Sequence, residues 1–319
     1  MQTRLTLATV LAVVTVASLF SACVLAARGD EPTKPGGADL AAELAKVKDK
    51  LAPTYQLAYK FAASEQFRTK VVHLATVETK IKGVAQTTNS RTTSTRLWRI
   101  KQVTSQGEIV FENVIERVEM WNSVEGRKEL KYDSAVDKQP PPEFQQVAAS
   151  IGKVLATVTI NPHGRILSRQ DAQRQFNPGI GELTIPFPET AVKAGATWSI
   201  PDEIRVKLED GTVKKVQTQQ KYRLEKVEAG VATISLETQV LTPVNEPQVQ
   251  VELVQRLQRG TIKFDVDSGR LIHKQLDMDQ SVFGFSGADS HMQYLARFTE
   301  EPVKDDQTAK SNGAGESKR

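Results

Sequence analysis

Along most of this chain apolar residues recur at every second position, and a period of two belongs to strands rather than helices. From Pro53 onward, Tyr55, Leu57, Tyr59 and Phe61 alternate with Gln56, Ala58 and Lys60. Val71, His73, Ala75 and Val77 continue the pattern, and so do three later runs: Ala232, Ile234 and Leu236; Val249, Val251 and Leu253; Met292, Tyr294, Ala296 and Phe298. The stretch QTTNSRTTSTRLWRIKQV is rich in Thr, whose branched Cβ suits a pleated, half-exposed surface. EIVFENVIERVEMW reads as a further strand and GRKELKY as a shorter one. Gly83 and Gly107 fall between runs, where antiparallel strands need tight turns.

The chain also repeats itself. LWRIKQV at 97–103 matches KYRLEKV at 221–227, pairing Trp98 with Tyr222 and Arg99 with Arg223. Upstream, KIKG at 80–83 matches KLEDG at 207–211. Downstream, TVTINPHGRIL at 157–167 matches TIKFDVDSGRLI at 261–272. The blocks keep their order, so two related β-meanders are expected, at 53–170 and 196–299, joined by a segment at 171–195. Gly83, Gly107, Gly164, Gly211, Gly230 and Gly269 mark their turns. The expected fold is mainly β, a curved sheet or half-barrel with one or two short helices packed on it. A shared core is favoured, because the joining segment is short and partly apolar (ELTIPFP).

Two segments carry a helical period instead. Leu40, Leu44, Val47 and Leu51 place an amphipathic helix over 39–52. In QPPPEFQQVAASIGK, Phe144, Val147, Ala148 and Ile151 follow i, i+3, i+4, i+7. Pro142 suits the first turn and Gly152 the end, which gives a helix over 142–152 in the first meander alone. Residues 300–319 are poor in apolar side chains and read as a disordered tail.

The N-terminus has the three parts of a secretory signal: a basic start, the apolar run LTLATVLAVVTVASLF, and a polar sequel. Three readings stand, in this order. Cleavage near Ala26 and Ala27 fits the small-residue rule. Cys23 within Leu19-Phe20-Ser21-Ala22-Cys23 would be the lipidated residue of a lipobox. Residues 5–27, left uncleaved, are long enough to anchor in a bilayer. A Pro/Gly linker follows at 28–38, and Arg28-Gly29-Asp30 in it reads as chance. Cys23 is the only cysteine, so there is no disulfide framework. An extracytoplasmic place, in a periplasm or outside the cell, is expected. The membrane would be met only through the N-terminus.

PETAVKAGATW, with Pro188, Val192, Lys193, Gly195 and Trp198, resembles the P-x3-V-K-x-G-x2-W signature of an uncharacterised family of secreted bacterial β-repeat proteins. More distantly the chain resembles the half-barrel fold of periplasmic lipoprotein carriers. The first resemblance lends no activity. The second implies an apolar groove between sheet and helix, able to hold an acyl chain or other lipid.

Motifs for chemistry are sparse. Charged residues make up 25% of the chain, with 42 basic against 38 acidic and no Lys/Arg block, which speaks against a nucleic-acid footprint. His73, His163, His273 and His291 share no metal-ligand spacing. Gly284, Ser286, Asp289 and His291 tempt a hydrolase reading, but Ala288 stands where a nucleophile elbow needs glycine. Asp265 and Asp267 look like a calcium loop, yet Arg270 and Leu276 occupy the sixth and twelfth positions, and the cage cannot close. They read as turn formers. Trp98, Trp121 and Trp198 read as packing, and Tyr222 at the repeat position of Trp98 supports that over a ligand platform. No catalytic, cofactor or metal site is expected. The chain reads as a non-enzymatic envelope β-protein with a groove for a lipid or acyl ligand. A scaffold or protein-interaction module is the alternative, with a hydrolase assembled across strands after it.

Overall fold

The computed structural model describes residues 43, 47, 51–171, 184–208 and 211–303. The chain divides into two compact units, Met1–Leu51 and Ala52–Arg319. Of the helix expected over 39–52, Glu43, Val47 and Leu51 are described as helical and exposed, and Ala52 is a half-buried bend beyond its end. The signal at 1–27 and the linker at 28–38 lie outside the described residues.

The second unit is mainly β. Its strands in chain order are β1 (Thr54–Tyr55), β2 (Gln66–Ile81), β3 (Val84–Val103), β4 (Ile109–Val124), β5 (Leu130–Asp133), β6 (Val154–Ile160), β7 (Ile166–Asp171), β8 (Val192–Lys193), β9 (Thr197–Lys207), β10 (Val213–Glu228), β11 (Val231–Val240), β12 (Arg259–Asp265), β13 (Arg270–Phe283) and β14 (His291–Pro302). Two short helices, α1 (Gln145–Ala148) and α2 (Pro247–Leu253), interrupt them. Twelve strands form one antiparallel sheet in the order β7-β6-β4-β3-β2-β14-β13-β12-β11-β10-β9, with β5 added on β4. β7 and β9 are its free edges, so the sheet is not closed into a barrel.

Alternation does what it should on a pleated sheet. In β14, Met292, Tyr294, Ala296 and Phe298 are buried, while Leu295 and Arg297 point the other way. Their cross-strand partners on β13, Leu276 and Met278, are buried too. One hydrophobic cluster joins inward residues of β2, β3, β4 and β6 to those of β10–β14. Burying a side chain such as Phe264 or Leu224 contributes about 1.5–3 kcal/mol.

The segments matched in sequence hold matching places in the topology. The β2–β3 turn at Gly83 and the β9–β10 turn at Gly211 open each series. The β3–β4 and β10–β11 turns, at Gly107 and Gly230, come next. A helix then intervenes, α1 between β5 and β6, α2 between β11 and β12. The β6–β7 and β12–β13 turns, at Gly164 and Gly269, follow. β14 lies between the two series, pairing with β2 on one side and β13 on the other.

Four expectations need correction. Residues 56–61 are not ladder-paired strand; only Thr54–Tyr55 pairs, with Val192–Lys193. The alternation there records one-sided burial of an extended segment. Residues 247–253 are helix, not strand. Val249 and Leu253 are one helical turn apart and both buried, so over so short a run the two periods coincide; Pro247 at the first turn was the deciding cue. The helix of the first series is shorter than 142–152: a 3-10 turn, Pro142–Phe144, leads into α1, with Phe144 packed among Ile115, Val118 and Tyr132. Finally, strand β14 runs to Pro302, so Glu300–Pro302 belong to the sheet and not to a tail.

Candidate functional site

The extended segment 56–61 crosses one end of the sheet, and the β6–β7 and β12–β13 hairpin turns both hold it. Tyr59 N–H donates to Pro162 O at 2.7 Å, and His163 Nδ1 lies 3.0 Å from Leu57 O, which can only accept. On the other side Lys60 N–H donates to Gly269 O at 3.4 Å, and Lys60 Nζ donates to Val266 O and Asp267 O at 3.1 and 2.9 Å. A side chain at either turn glycine would collide with this crossing. A Cβ on Gly164 would lie 2.3 Å from Ile185 O and 2.6 Å from the Tyr59 ring; one on Gly269 would lie 2.6 Å from Lys60 N. All six marker glycines have positive φ, and at these two the close approach of neighbouring backbone adds a second requirement.

Beneath the crossing segment is a cavity of about 250 Å³. Aromatic residues are only 6% of the chain, yet Tyr59, Phe61, Phe67, Trp98 and Phe111 all line it. They form a continuous series of ring contacts: Tyr59 to Phe61 at 5.9 Å, Phe61 to Phe67 at 5.4 Å, Phe67 to Trp98 at 5.9 Å and Trp98 to Phe111 at 5.3 Å. Ile100, Ile185 and Leu271 complete the apolar wall.

Two charged groups border this wall. At the mouth, Arg270 makes a two-pronged pair with Glu65 at 2.6 and 2.7 Å, bonds to Lys60 O, and lays its guanidinium 4.0 Å over the Phe61 ring. Deeper, Lys274 Nζ sits 2.7 Å from Glu300 Oε2, with both side chains almost wholly buried. Trp98 Nε1 donates to Thr69 Oγ1 at 2.9 Å, and that hydroxyl donates to Glu300 Oε1 at 3.1 Å. Burial alone would raise the Glu300 carboxyl. Lys274, Arg96 and the Thr69 hydroxyl outweigh it and hold the group below the ordinary carboxylate value. Arg96 is pulled the other way, lowered by burial with only partial relief from Glu300.

The residues singled out by sequence fall in several places. Trp98 lines the cavity as well as packing, so the packing reading of it was too narrow. Trp198 stacks on Tyr222 at 5.5 Å and donates to Pro186 O at 2.8 Å. Asp265 Oδ1 accepts from the backbone of Asp267 and Ser268, and Asn161 Oδ1 accepts from His163 and Arg165 in the sister turn. Both are turn-capping side chains. Among the described residues no cluster of three or more His, Cys, Asp or Glu could hold a metal. Ser286 and His291 are not joined by a hydrogen bond among the described residues. Ser286 N–H bonds Ser290 Oγ, and His291 stacks on Phe283. His73 is half-buried on the inner face, and burial pulls its imidazole down. Cys23, Ala26 and Ala27 lie outside the described residues. Sequence reasoning missed Lys274, Glu300, Thr69, Arg96 and Arg270. The signal was present: Lys274 and Glu300 are charged residues at inward positions that Leu276 and Phe298 continue.

No family model matches the chain, and no curated protein matches it. Among the solved structures to which it is distantly similar are the following three. A structure of lipid-protein interactions in lipovitellin matches at 11% identity and TM-score 0.41, covering 77% of this chain and 26% of that one. This chain thus spans about a quarter of its length. The translocator domain of the autotransporter NalP from Neisseria meningitidis matches at 6% identity and TM-score 0.27, covering 83% and 96%. DynF of the dynemicin biosynthesis pathway of Micromonospora chersina matches at 10% identity and TM-score 0.22, covering 80% and 88%. At these values the likenesses bear on neither ligand nor partner.

Proposed function

We propose that this chain is an extracytoplasmic, non-enzymatic β-protein that holds an apolar ligand, of lipid or acyl type, in the cavity under residues 56–61. The observation that carries this is the cavity wall: five aromatic rings and three aliphatic side chains facing one space of about 250 Å³. Concave, mostly apolar space with a few placed polar groups is the usual form of a small-molecule site. The extracytoplasmic part rests on the three-part N-terminal pattern. The same proposal takes the β2–β7 and β9–β13 series as copies of one meander, supported by the matched order of their turns and helices.

Native mass spectrometry of the purified mature protein tests the ligand. A co-purifying mass of lipid size is expected, and it should be lost when Trp98→Ala opens the wall. A clean protein mass, with no uptake after incubation with dodecanoate or decanol, would sink the reading. The denatured intact mass tests the compartment: a start near Ala27 is expected, a diacylated Cys23 would make the protein a lipoprotein, and a retained Met1 would refute secretion by cleavage.

A further inference from the structure

We propose that the Glu300 side of the cavity is a subsite for a hydroxyl, so that the ligand is an uncharged alcohol on a hydrocarbon body and not a fatty acid or an amine. This rests on the preceding reading that the cavity takes an apolar ligand. The observation beneath it is the position of Glu300. The residue is 2% exposed, yet it lines the cavity beside Thr69, Lys274 and the rings of Phe67, Trp98 and Phe111. Strand pairing puts it there: Glu300 on β14 is opposite Lys274 on β13 and Val71 on β2, at the inward parity of Phe298.

An ionised carboxylate has room for about four hydrogen bonds. Among the described residues two donors reach Glu300: Lys274 Nζ lies 2.7 Å from Oε2, and the Thr69 hydroxyl donates to Oε1 at 3.1 Å. Thr69 has no second proton to give, and its oxygen already accepts from Trp98 Nε1. Each Glu300 oxygen therefore keeps acceptor capacity on a wall that a ligand can touch. What such a wall can take is a donor. A carboxylate head has none at neutral pH, and it would face a carboxylate that Lys274, Arg96 and Thr69 hold ionised. An ammonium head would donate, but beside Lys274, a like charge already seated on the same group. A hydroxyl donates without adding charge, and a hydrogen bond to an ionised acceptor is stronger than one between neutral groups. The mouth repeats the balance, since Arg270 is matched by Glu65. Volume sets the body: an apolar cavity of about 150 Å³ takes benzene, so one of about 250 Å³ takes on the order of ten carbons.

Titration calorimetry on the full mature protein at neutral pH tests this with four probes: 1-decanol, its isomer methyl nonyl ether, decanoate and decylammonium. The ether accepts hydrogen bonds but cannot donate. Decanol should bind at least about ten-fold tighter than each of the other three. Glu300→Gln should change the order. Lys274 and Arg96 then lack their carboxylate, so decanoate should become the tightest of the four and raise the thermal midpoint of the variant. Equal binding of decanol and the ether by the unaltered protein would overturn the hydroxyl subsite while leaving the apolar cavity standing. Decanoate or decylammonium bound as tightly as decanol would overturn the uncharged head. An order of affinities unchanged in Glu300→Gln would remove Glu300 as the acceptor, and the subsite with it. If none of the four probes binds, the cavity reading falls as well. Should Glu300→Gln fail to fold even with decanoate present, the ratio of decanol to ether binding in the unaltered protein decides the proposal alone.

Discussion

The two series of strands follow the same order of turns and helices and differ in what surrounds matched side chains. At one pair of matched positions, Tyr222 is 2% exposed and stacked on Trp198, while Trp98 stands at the edge of the aromatic cavity. At another, Arg165 after the β6–β7 turn is exposed, whereas Arg270 after the β12–β13 turn reaches over Phe61 and pairs with Glu65. The turns themselves do one job twice: each has an Asn or Asp cap, and each grips the same crossing segment. Matched turns therefore do not imply a matched site. The turns are constrained by conformation and close approach, so they stay alike. Side chains beyond the turn carry no such constraint, and Trp98 and Arg270 border the cavity where Tyr222 and Arg165 do not.

The largest effect should come from emptying the filled half. Tyr222→Ala removes a ring that is 2% exposed and stacked on Trp198, and should cost about 5 kcal/mol, at the upper end for aromatic truncation. Trp98→Ala removes a ring that already borders open space, and it should cost nearer 3 kcal/mol while abolishing ligand uptake. Urea melts of both variants, with binding measured on the folded fraction, check the pair. Equal costs and equal binding would mean that the halves do not differ in filling.

Next comes the buried pair that joins the halves through β14. Glu300→Gln leaves Lys274 and Arg96 without their carboxylate, and removing one partner of a buried pair costs about 3 kcal/mol or more. The same group sets an acid limit. Its carboxyl is held below the ordinary glutamate value in the folded chain, so its stabilisation is full above that ordinary value and lost as pH falls through the folded value. Denaturation midpoints followed from pH 7 to pH 3 should therefore fall less steeply for Glu300→Gln than for the unaltered protein. Parallel curves would mean that Glu300 is not the group responsible.

Much of the fold could be read from the chain because sheets write their burial in period two. Met292 to Phe298 and Ala232 to Leu236 are buried in the alternation the sequence shows. Turn glycines were legible for a similar reason, since positive φ leaves few alternatives. The site was not, and the reason is physical. Its residues come from β2, β3, β13, β14 and a crossing segment, brought together by strand pairing over separations such as 231 residues between Thr69 and Glu300. Pairing order across a sheet is not written in local periodicity. Glu300 was hidden further by its neighbours: Glu301, Lys304 and Asp305 make the stretch look solvated, and only the parity with Phe298 marks it as inward. The short helix 247–253 was misread because seven residues are too few to separate a period of two from one of 3.6.

The smallest effect is the sharpest comparison, because it sets matched arginines against each other. Arg270 has 29% of its side chain exposed and meets Glu65 through two charge-assisted bonds while covering the Phe61 ring. Arg270→Met keeps most of the side-chain length and loses the fork, so it should cost about 1–2 kcal/mol after allowance for partial solvent screening. Arg165→Met at the matched turn should lie within about 0.5 kcal/mol of the parent, as exposed substitutions do. Hydrogen exchange adds a local readout: the amides of Tyr59 and Lys60 should exchange faster in Arg270→Met, and at the parental rate in Arg165→Met. If both variants loosened the crossing equally, the grip would lie in the turns alone, and Arg270 would be left to the cavity mouth. If only Arg270→Met does so, one half of the sheet supplies the latch and the other only the seat, the division of labour that Trp98 and Tyr222 show in the core.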